Sequence, residues 1–206
     1  MEIITNWGRK LNGSLTELNL GKVDAIALHH MAHKTADIKT VQEWHLNNGW
    51  TTIGYNYWVG FDGRVYEGRG LNVGAGVLGQ NSHIISIGFQ GTYDTNQTMP
   101  DAQFNAGIDI ISHVKSKVPT IKKVAGHGDF QATACPGTYF PLSEMLKLVK
   151  RGVTSSELTS VNDIIWEMGH RRIITDTDLW LKECENNPNV YWLIRKTVKY
   201  LMEKGV

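Results

Sequence analysis

Apolar, strand-like runs alternate with amphipathic helical segments between residues 23 and 150, and this order constrains the fold strongly. Strands are predicted at 23–28, at 55–60 and 64–67 as a hairpin around an Asp-Gly turn, at 84–89 and at 121–125. Helices are predicted at 37–48, 101–117 and 141–150. Because strands that alternate with helices form a sheet covered by helices, we predict an α/β fold with a central sheet.

A histidine and a cysteine follow the last predicted strand in a segment rich in glycine. His127 and Cys135 lie eight positions apart, and Pro136 fixes a turn after the thiol. A loop can fold both side chains inward, whereas a regular helix or strand at this spacing would not. Much earlier in the chain, His29 and His30 follow the apolar run 23–28 and offer a third ligand. A His/His/Cys set leaves one tetrahedral position of Zn²⁺ open, as in catalytic zinc sites.

Each of these residues alone has an ordinary structural explanation. A single cysteine is usually a small buried apolar residue, and a single histidine is usually a polar group with a hydrogen-bond partner. Eight histidines among 206 residues exceed ordinary usage, but spacing cannot pair ligands across a chain without a fold. The residues alone therefore leave a metal site and a structural role open.

Several short motifs occur in a defined order between residues 23 and 148. They are Ile26–His30, Gln42–His45, Asn48–Trp50, Ile53–Tyr57, Asp62–Arg69, Ser86–Phe89 and His127–Gly137. In order and spacing they resemble the zinc-dependent N-acetylmuramoyl-L-alanine amidases of type 2. That family includes short phage lysozymes of the amidase kind and the peptidoglycan recognition proteins. The resemblance implies a central mixed β-sheet flanked by helices and hydrolysis of the amide between N-acetylmuramic acid and L-alanine in peptidoglycan.

The resemblance also implies the residues of the site. In the family the first histidine of the pair is a ligand, which gives His29, His127 and Cys135 as the ligands of one Zn²⁺. Tyr55 would lie beside the metal and stabilise the oxyanion or orient the water, although the residue alone favours a packed aromatic on a strand. Thr133 stands where some members carry lysine, and because it brings no positive charge its electrostatic contribution should be smaller.

Other polar residues receive supporting roles. Asp129 is expected to orient the loop that contains the second ligand. Glu67 is one candidate base, but in the family its segment is mainly a strand end. His30 should point to the opposite face of its strand from the ligand, and His45 is expected to be structural. The identity of the general base stays open.

The sequence departs from the family pattern at one place. Many members have a histidine after the hairpin where this chain has Gly76, which puts any contact of that histidine with substrate in doubt and could widen the groove. The remaining histidines show no constellation; they are His33, His83, His113 and His170.

Bulk composition limits the partners. The net charge of +1 gives no basic stripe for nucleic acid, and no apolar run is long enough to insert in a membrane. Cys184 stands alone, so no disulfide framework is implied. The first residues lack the features of a signal peptide. We expect a protein made in the cytoplasm of a bacterial host that acts on the cell wall after release, as a phage endolysin or a bacterial autolysin.

A second, all-helical domain is predicted after the amidase-like region. Small and polar residues cluster at 151–156, which gives a catalytic domain at 1–150 and a helical domain at 157–206. The last helix of the second domain has a broad apolar face that 50 residues can hardly bury alone. This domain is expected to dock on the first, to form a homo-oligomer, or to target the cell wall.

Two functions from different classes are compatible with this pattern. The first is a peptidoglycan hydrolase that lyses bacterial cell walls. The second is a peptidoglycan-binding module without activity. Non-hydrolytic relatives typically replace the thiol ligand, and because Cys135 is present, the sequence favours the hydrolase. A regulator that binds another protein leaves no readable mark.

Overall fold

The computed structural model of the protein describes residues 1–95, 97–151, 179–180 and 182–183. The chain divides into two compact units, Met1–Gly152 and Val153–Val206. In the second unit the four described residues are helical, and the rest of the predicted helical domain, with Cys184 and His170, lies outside the described residues.

A six-stranded mixed sheet forms the centre of the first unit. In chain order its strands are β1 (Ile3–Ile4), β2 (Ala25–His30), β3 (Tyr57–Val59), β4 (Val65–Glu67), β5 (Ile84–Phe89) and β6 (Lys123–Gly126). In space the order is β1-β4-β3-β5-β2-β6. Strands β3 and β4 form the predicted antiparallel hairpin, whereas the pairings β1–β4, β3–β5, β2–β5 and β2–β6 are parallel. The predicted fold class is therefore confirmed.

Three helices flank the sheet: α1 (Ile38–Asn47), α2 (Asp101–Lys117) and α3 (Leu142–Arg151). The Asp37 carboxylate caps α1 by accepting a hydrogen bond from the Thr40 N–H at 2.8 Å. Helix α2 has Asp101 in its first turn and two lysines in its last turn, which suits the helix dipole. These local signals explain why the helix bounds agree with the sequence prediction to within one residue.

The central strands β2 and β5 are buried along their whole length. One face of the sheet packs against α1 through a cluster that includes Trp7, Val41, Ile53 and Trp58. On the other face, Phe89 of β5 contacts Phe140 edge to face, with ring centroids 5.1 Å apart. Residues of β2 therefore alternate between two apolar layers, as expected for a strand covered on both sides.

Strand β2 differs from its prediction in a way that affects the site. It begins at Ala25 and continues through His30, because His29 and His30 pair in register with Gly88 and Phe89 of β5. Both histidines thus lie within the sheet instead of following it. Strand β1 was not predicted, since two residues carry no readable periodicity.

Among the described residues, no helix has the length and apolar character that a membrane crossing requires.

Candidate metal centre and active site

Three side chains with metal-binding atoms meet at the carboxyl edge of the parallel strands β2 and β6. His29 lies on β2, His127 follows β6 directly, and Cys135 ends the loop after it. Their ligand atoms all lie within 4.8 Å of one another. The His29 Nδ1 atom is 3.9 Å from the Cys135 Sγ atom, and the two imidazole centroids are 4.4 Å apart. The three residues named as ligands from the sequence are thus brought together.

Backbone hydrogen bonds give the loop between the second and third ligands its shape. The Gly128 N–H donates to the Cys135 carbonyl at 2.7 Å, which closes the loop across its base. A Cβ at Gly128 would lie 2.8 Å from the Thr133 carbonyl oxygen, so only glycine fits there. The Asp129 carboxylate accepts from the Gly126 N–H at 3.0 Å, which is the loop-orienting contact predicted for it.

The protonation states of the three side chains suit the binding of a divalent cation. His29 is 1% exposed, and burial, aided by the neighbouring His127, lowers its pKa well below the usual value. Burial also lowers the pKa of His127 and raises the pKa of the Cys135 thiol to about 11. At neutral pH both imidazoles are therefore neutral and offer a lone pair, and a bound cation would displace the thiol proton.

The nitrogen and sulfur donors form a set that zinc commonly binds. Two imidazoles and one thiol offer their ligand atoms to one another over distances that a single ion can bridge. His29, His127 and Cys135 are therefore the residues that could hold a metal.

Tyr55 lies next to the ligand cluster. Its ring centroid is 5.2 Å from that of His29. This approach depends on Gly88 of β5, because a Cβ there would lie 2.9 Å from the Tyr55 ring. Burial, followed by the nearby Cys135, raises the pKa of Tyr55. The phenol is therefore protonated near neutral pH and can donate a hydrogen bond beside the cluster.

His45 of α1 supports the segment that presents Tyr55. Its Nδ1 atom accepts a hydrogen bond from the Gly54 N–H at 3.0 Å. The imidazole stacks on Trp50 at 4.5 Å between centroids and lies 5.8 Å from the Tyr55 ring. The structural role expected for His45 is confirmed, and its place beside Tyr55 is an addition that the sequence did not indicate.

Gln131 contacts the second ligand and was missed by the sequence reasoning. Its Oε1 atom lies 3.4 Å from the His127 Nε2 atom and accepts from the Leu78 N–H at 3.2 Å. One amide oxygen therefore links the ligand loop to the segment after the hairpin. In the sequence, Gln131 is marked only by its position four residues after His127. Such a spacing is too common to identify a residue that contacts a ligand.

Thr133 and Glu67 have different surroundings. Thr133 is exposed on the ligand loop, and its Oγ1 accepts from the Cys135 N–H at 3.3 Å. Glu67 ends β4 and pairs with Arg9, with 3.3 Å between Oε1 and Nη1. Glu67 therefore has the strand-end role that the family pattern suggested, and Thr133 is held close to the third ligand.

His30 points away from the ligand cluster, as predicted from strand alternation. Its Nδ1 atom accepts from the Tyr93 N–H at 2.9 Å, and its Nε2 atom lies 3.5 Å from an Asp94 carboxylate oxygen. His33 accepts from the backbone N–H of Ala36 at 3.0 Å. These contacts give the two histidines structural roles.

Gly76 faces the interior behind the ligands. A Cβ at this position would collide with the Ser86 Oγ atom and lie 3.2 Å from the His29 Nε2 atom. A side chain at this position would thus contact the buried Nε2 edge of the His29 imidazole.

Similarity to known proteins agrees with this geometry. The family model described as N-acetylmuramoyl-L-alanine amidase (Amidase_2) matches residues 19–138, a range that contains all three candidate ligands. The chain is 36% identical over 146 residues to peptidoglycan-recognition protein SC2 of Drosophila simulans, which covers 65% of this chain and 78% of that protein.

Solved structures show the same fold. The N-acetylmuramoyl-L-alanine amidase LysC from Clostridium intestinale URNW aligns with a TM-score of 0.62 and 25% identity over 75% of this chain and 99% of that chain. The complex of tracheal cytotoxin with the ectodomains of peptidoglycan recognition proteins LCa and LCx aligns with a TM-score of 0.61 and 31% identity, over 68% and 92% of the two chains. The chain therefore belongs to the N-acetylmuramoyl-L-alanine amidase family.

Proposed function

We propose that the protein is a zinc-dependent N-acetylmuramoyl-L-alanine amidase. Its substrate would be bacterial peptidoglycan, cleaved between the lactyl group of N-acetylmuramic acid and L-alanine. The observation that supports this best is the complete set of His29, His127 and Cys135 with Tyr55 beside it. A module that only binds peptidoglycan has no need of a thiol that faces two neutral imidazoles.

The residues of the site would have separate roles in amide hydrolysis. His29, His127 and Cys135 would hold the zinc ion, which when bound supplies Lewis-acid chemistry for the attack of water on a carbonyl. The Tyr55 hydroxyl would donate a hydrogen bond to the oxyanion that develops on the carbonyl oxygen. As the C–N bond breaks, the nitrogen of L-alanine takes up a proton and the lactyl group becomes a carboxylate.

Thr133 would have a smaller part in the same step. Its hydroxyl is exposed on the ligand loop and already accepts a hydrogen bond from the Cys135 N–H. The hydroxyl hydrogen remains free to be donated toward substrate. Since threonine is neutral, this contact would contribute less than a lysine at the same place.

The second candidate function is recognition of peptidoglycan without hydrolysis. It is favoured by the names of the similar proteins, several of which are peptidoglycan recognition proteins. Both functions would take peptidoglycan as the ligand, so they differ in whether a hydrolysis product appears.

A defined muropeptide distinguishes the two functions. The protein is incubated with a muramoyl peptide, and chromatography follows the appearance of free stem peptide with zinc, after chelation and after zinc is restored. We expect product with zinc, none after chelation, and recovery on restoration. Binding of the muropeptide with no product under any of these conditions would support the recognition module and contradict the amidase.

A further inference from the structure

Two buried polar atoms lie behind the ligand cluster without a partner. Among the described residues, the His29 Nε2 and Ser86 Oγ atoms are the buried side-chain nitrogen and oxygen atoms that have no hydrogen bond. His29 is only 1% exposed, and Ser86 is fully buried. A buried polar group without a partner lowers the free energy of unfolding by about 1–3 kcal/mol. Two such groups close together therefore suggest that they interact when the site is occupied.

The two atoms both lie close to Gly76. Ser86 of β5 pairs in register with Ala27 of β2, so its side chain projects from the same face of the sheet as that of His29. A Cβ added to Gly76 would collide with the Ser86 Oγ and come within 3.2 Å of the His29 Nε2. Both atoms therefore lie close to Gly76, and because this residue has no side chain, the serine hydroxyl and the imidazole can pack against it.

The backbone holds Ser86 firmly in this position. Its N–H donates to the Asn56 Oδ1 atom at 2.9 Å, and its carbonyl accepts from the Asn56 N–H at 2.8 Å. The Asn56 side chain is itself anchored, since its Nδ2 donates to the Gly70 and Asn72 carbonyls at 2.7 Å each. The serine hydroxyl is thus a fixed group next to the imidazole.

The orientation of His29 explains why a fixed acceptor would matter. Its Nδ1 atom faces the Cys135 thiol at 3.9 Å, so this nitrogen must carry the lone pair when a metal binds. The proton of the neutral imidazole then belongs on Nε2. A ligand histidine commonly donates this second N–H to a neighbouring acceptor, which fixes both tautomer and ring orientation.

We propose that Ser86 is a positioning residue for His29. When a metal is bound, its Oγ accepts a hydrogen bond from the Nε2–H and thereby holds Nδ1 toward the metal. The Ser86 hydroxyl replaces the carboxylate or carbonyl that often performs this task. This inference rests on the proposed metal site but not on the reaction.

Zinc affinity of the full chain tests the proposal without any substrate. Wild type, Ser86→Ala and Thr52→Ala are titrated with zinc in competition with a chromophoric chelator. Thr52 is a suitable control because it is also fully buried and its hydroxyl donates to the Gln42 Oε1 atom at 3.3 Å, a partner that is not one of the ligands. We expect the zinc Kd of Ser86→Ala to rise about 10- to 100-fold, and that of Thr52→Ala to stay within about twofold of wild type.

Spectroscopy separates positioning from a general effect on folding. The visible absorption of the cobalt-substituted protein reports ligand geometry, so the band positions should move in Ser86→Ala and remain unchanged in Thr52→Ala. NMR of labelled imidazoles in zinc-loaded wild type should show His29 bound through Nδ1 with a proton on Nε2, an observation that needs no variant.

The outcomes that contradict the proposal are distinct from failure of the amidase function. An unchanged zinc Kd and cobalt spectrum in Ser86→Ala overturn the role of Ser86, whether or not the wild type hydrolyses peptidoglycan. Binding of His29 through Nε2 overturns it as well. If the wild type does not bind zinc, both the metal site and the role of Ser86 are wrong.

Discussion

The half-buried thiol of Cys135 has different preferred protonation states with and without a cation. Burial raises its pKa to about 11, so the thiol stays protonated at neutral pH when no metal is present. The two imidazoles that face it are neutral for the same reason, since burial lowers the pKa of both. The three side chains thus form an uncharged cluster that gains one thiolate when a metal binds.

Loss of the thiol should abolish metal binding and leave the fold intact. In Cys135→Ser we expect little bound zinc by metal analysis and no lytic activity, because a hydroxyl is a much poorer zinc ligand than a thiolate. The circular dichroism spectrum should stay close to that of wild type, since the sheet is built from apolar contacts. Cys184→Ser is the matched control and should bind zinc normally. Full zinc occupancy with normal lysis in Cys135→Ser would remove this residue from the site.

Removal of the Tyr55 hydroxyl should affect turnover alone. Tyr55→Phe keeps the ring that packs beside His29, so zinc and substrate should bind as before. If the hydroxyl stabilises the oxyanion, turnover should fall roughly 10²- to 10³-fold. Tyr57→Phe is the control, because Tyr57 is a buried tyrosine on β3. Equal turnover of the two variants on purified cell walls would show that Tyr55 has no part in the chemistry.

At the scale of elements, local signals in the sequence predicted most of the sheet and helices. Strand β5 and helix α2 have the predicted bounds, because an apolar run and a helical apolar stripe are properties of neighbouring residues. The family motifs named the ligands that meet at the sheet edge. The contacts of Ser86, His45 and Gln131 were not predictable, since each joins segments distant in sequence or depends on a loop conformation.

The loop that contains His127 should depend on Gln131. The Gln131 Oε1 atom joins the His127 imidazole to the Leu78 backbone, so Gln131→Ala should loosen the ligand and weaken zinc binding by up to about tenfold. Gln80→Ala is the matched control, because Gln80 donates to the Phe130 carbonyl at 2.8 Å and anchors the same loop without touching the ligand. Equal zinc affinities of the two variants, measured by chelator competition, would assign Gln131 a general loop role.

The contact between α1 and the Tyr55 segment should weaken at acidic pH. Burial, with a smaller effect of Arg69, lowers the pKa of His45 from 6.5 to about 4. Between these values the unfolded chain binds a proton that the folded chain does not, so the free energy of unfolding decreases as the pH falls from 6.5 toward 4.

His45→Asn isolates this effect. Asparagine can accept the hydrogen bond from the Gly54 N–H without titrating, and the other buried histidines remain in both proteins. Urea unfolding at several pH values should show a smaller loss of stability on acidification in His45→Asn than in wild type. Parallel pH profiles of the two proteins would mean that His45 does not contribute.

At the scale of the whole molecule, the parallel order of the strands determines where chemistry can occur. Strands β2 and β6 pair in parallel, so residues at their carboxyl ends meet at one edge although they are far apart in the sequence. The second unit, Val153–Val206, is separate from this edge in sequence. We therefore expect this unit to act in targeting or assembly, which is tested by comparing the intact protein with a shorter chain.

A chain that ends at Lys150 should keep the chemistry and lose action on intact cells. All candidate site residues lie before Pro136, so this shorter chain should bind zinc and hydrolyse small muropeptides. Its killing of whole cells should fall, because a second contact with the wall or the avidity of a dimer is lost. Light scattering and a lysis assay on both chains test this. Equal mass states and equal killing would show that residues 157–206 are neither a targeting nor an assembly element.

The cluster of His29, His127 and Cys135 is proposed to support hydrolysis of one specific amide. Mass spectrometry of purified peptidoglycan digested in heavy-oxygen water tests it most directly, with Cys135→Ser as the inactive control. We predict one heavy oxygen in a new lactyl carboxylate and a free amine on L-alanine with the wild-type protein, and neither with the variant. Intact lactyl amides after wild-type digestion, or label at any other bond, would contradict it.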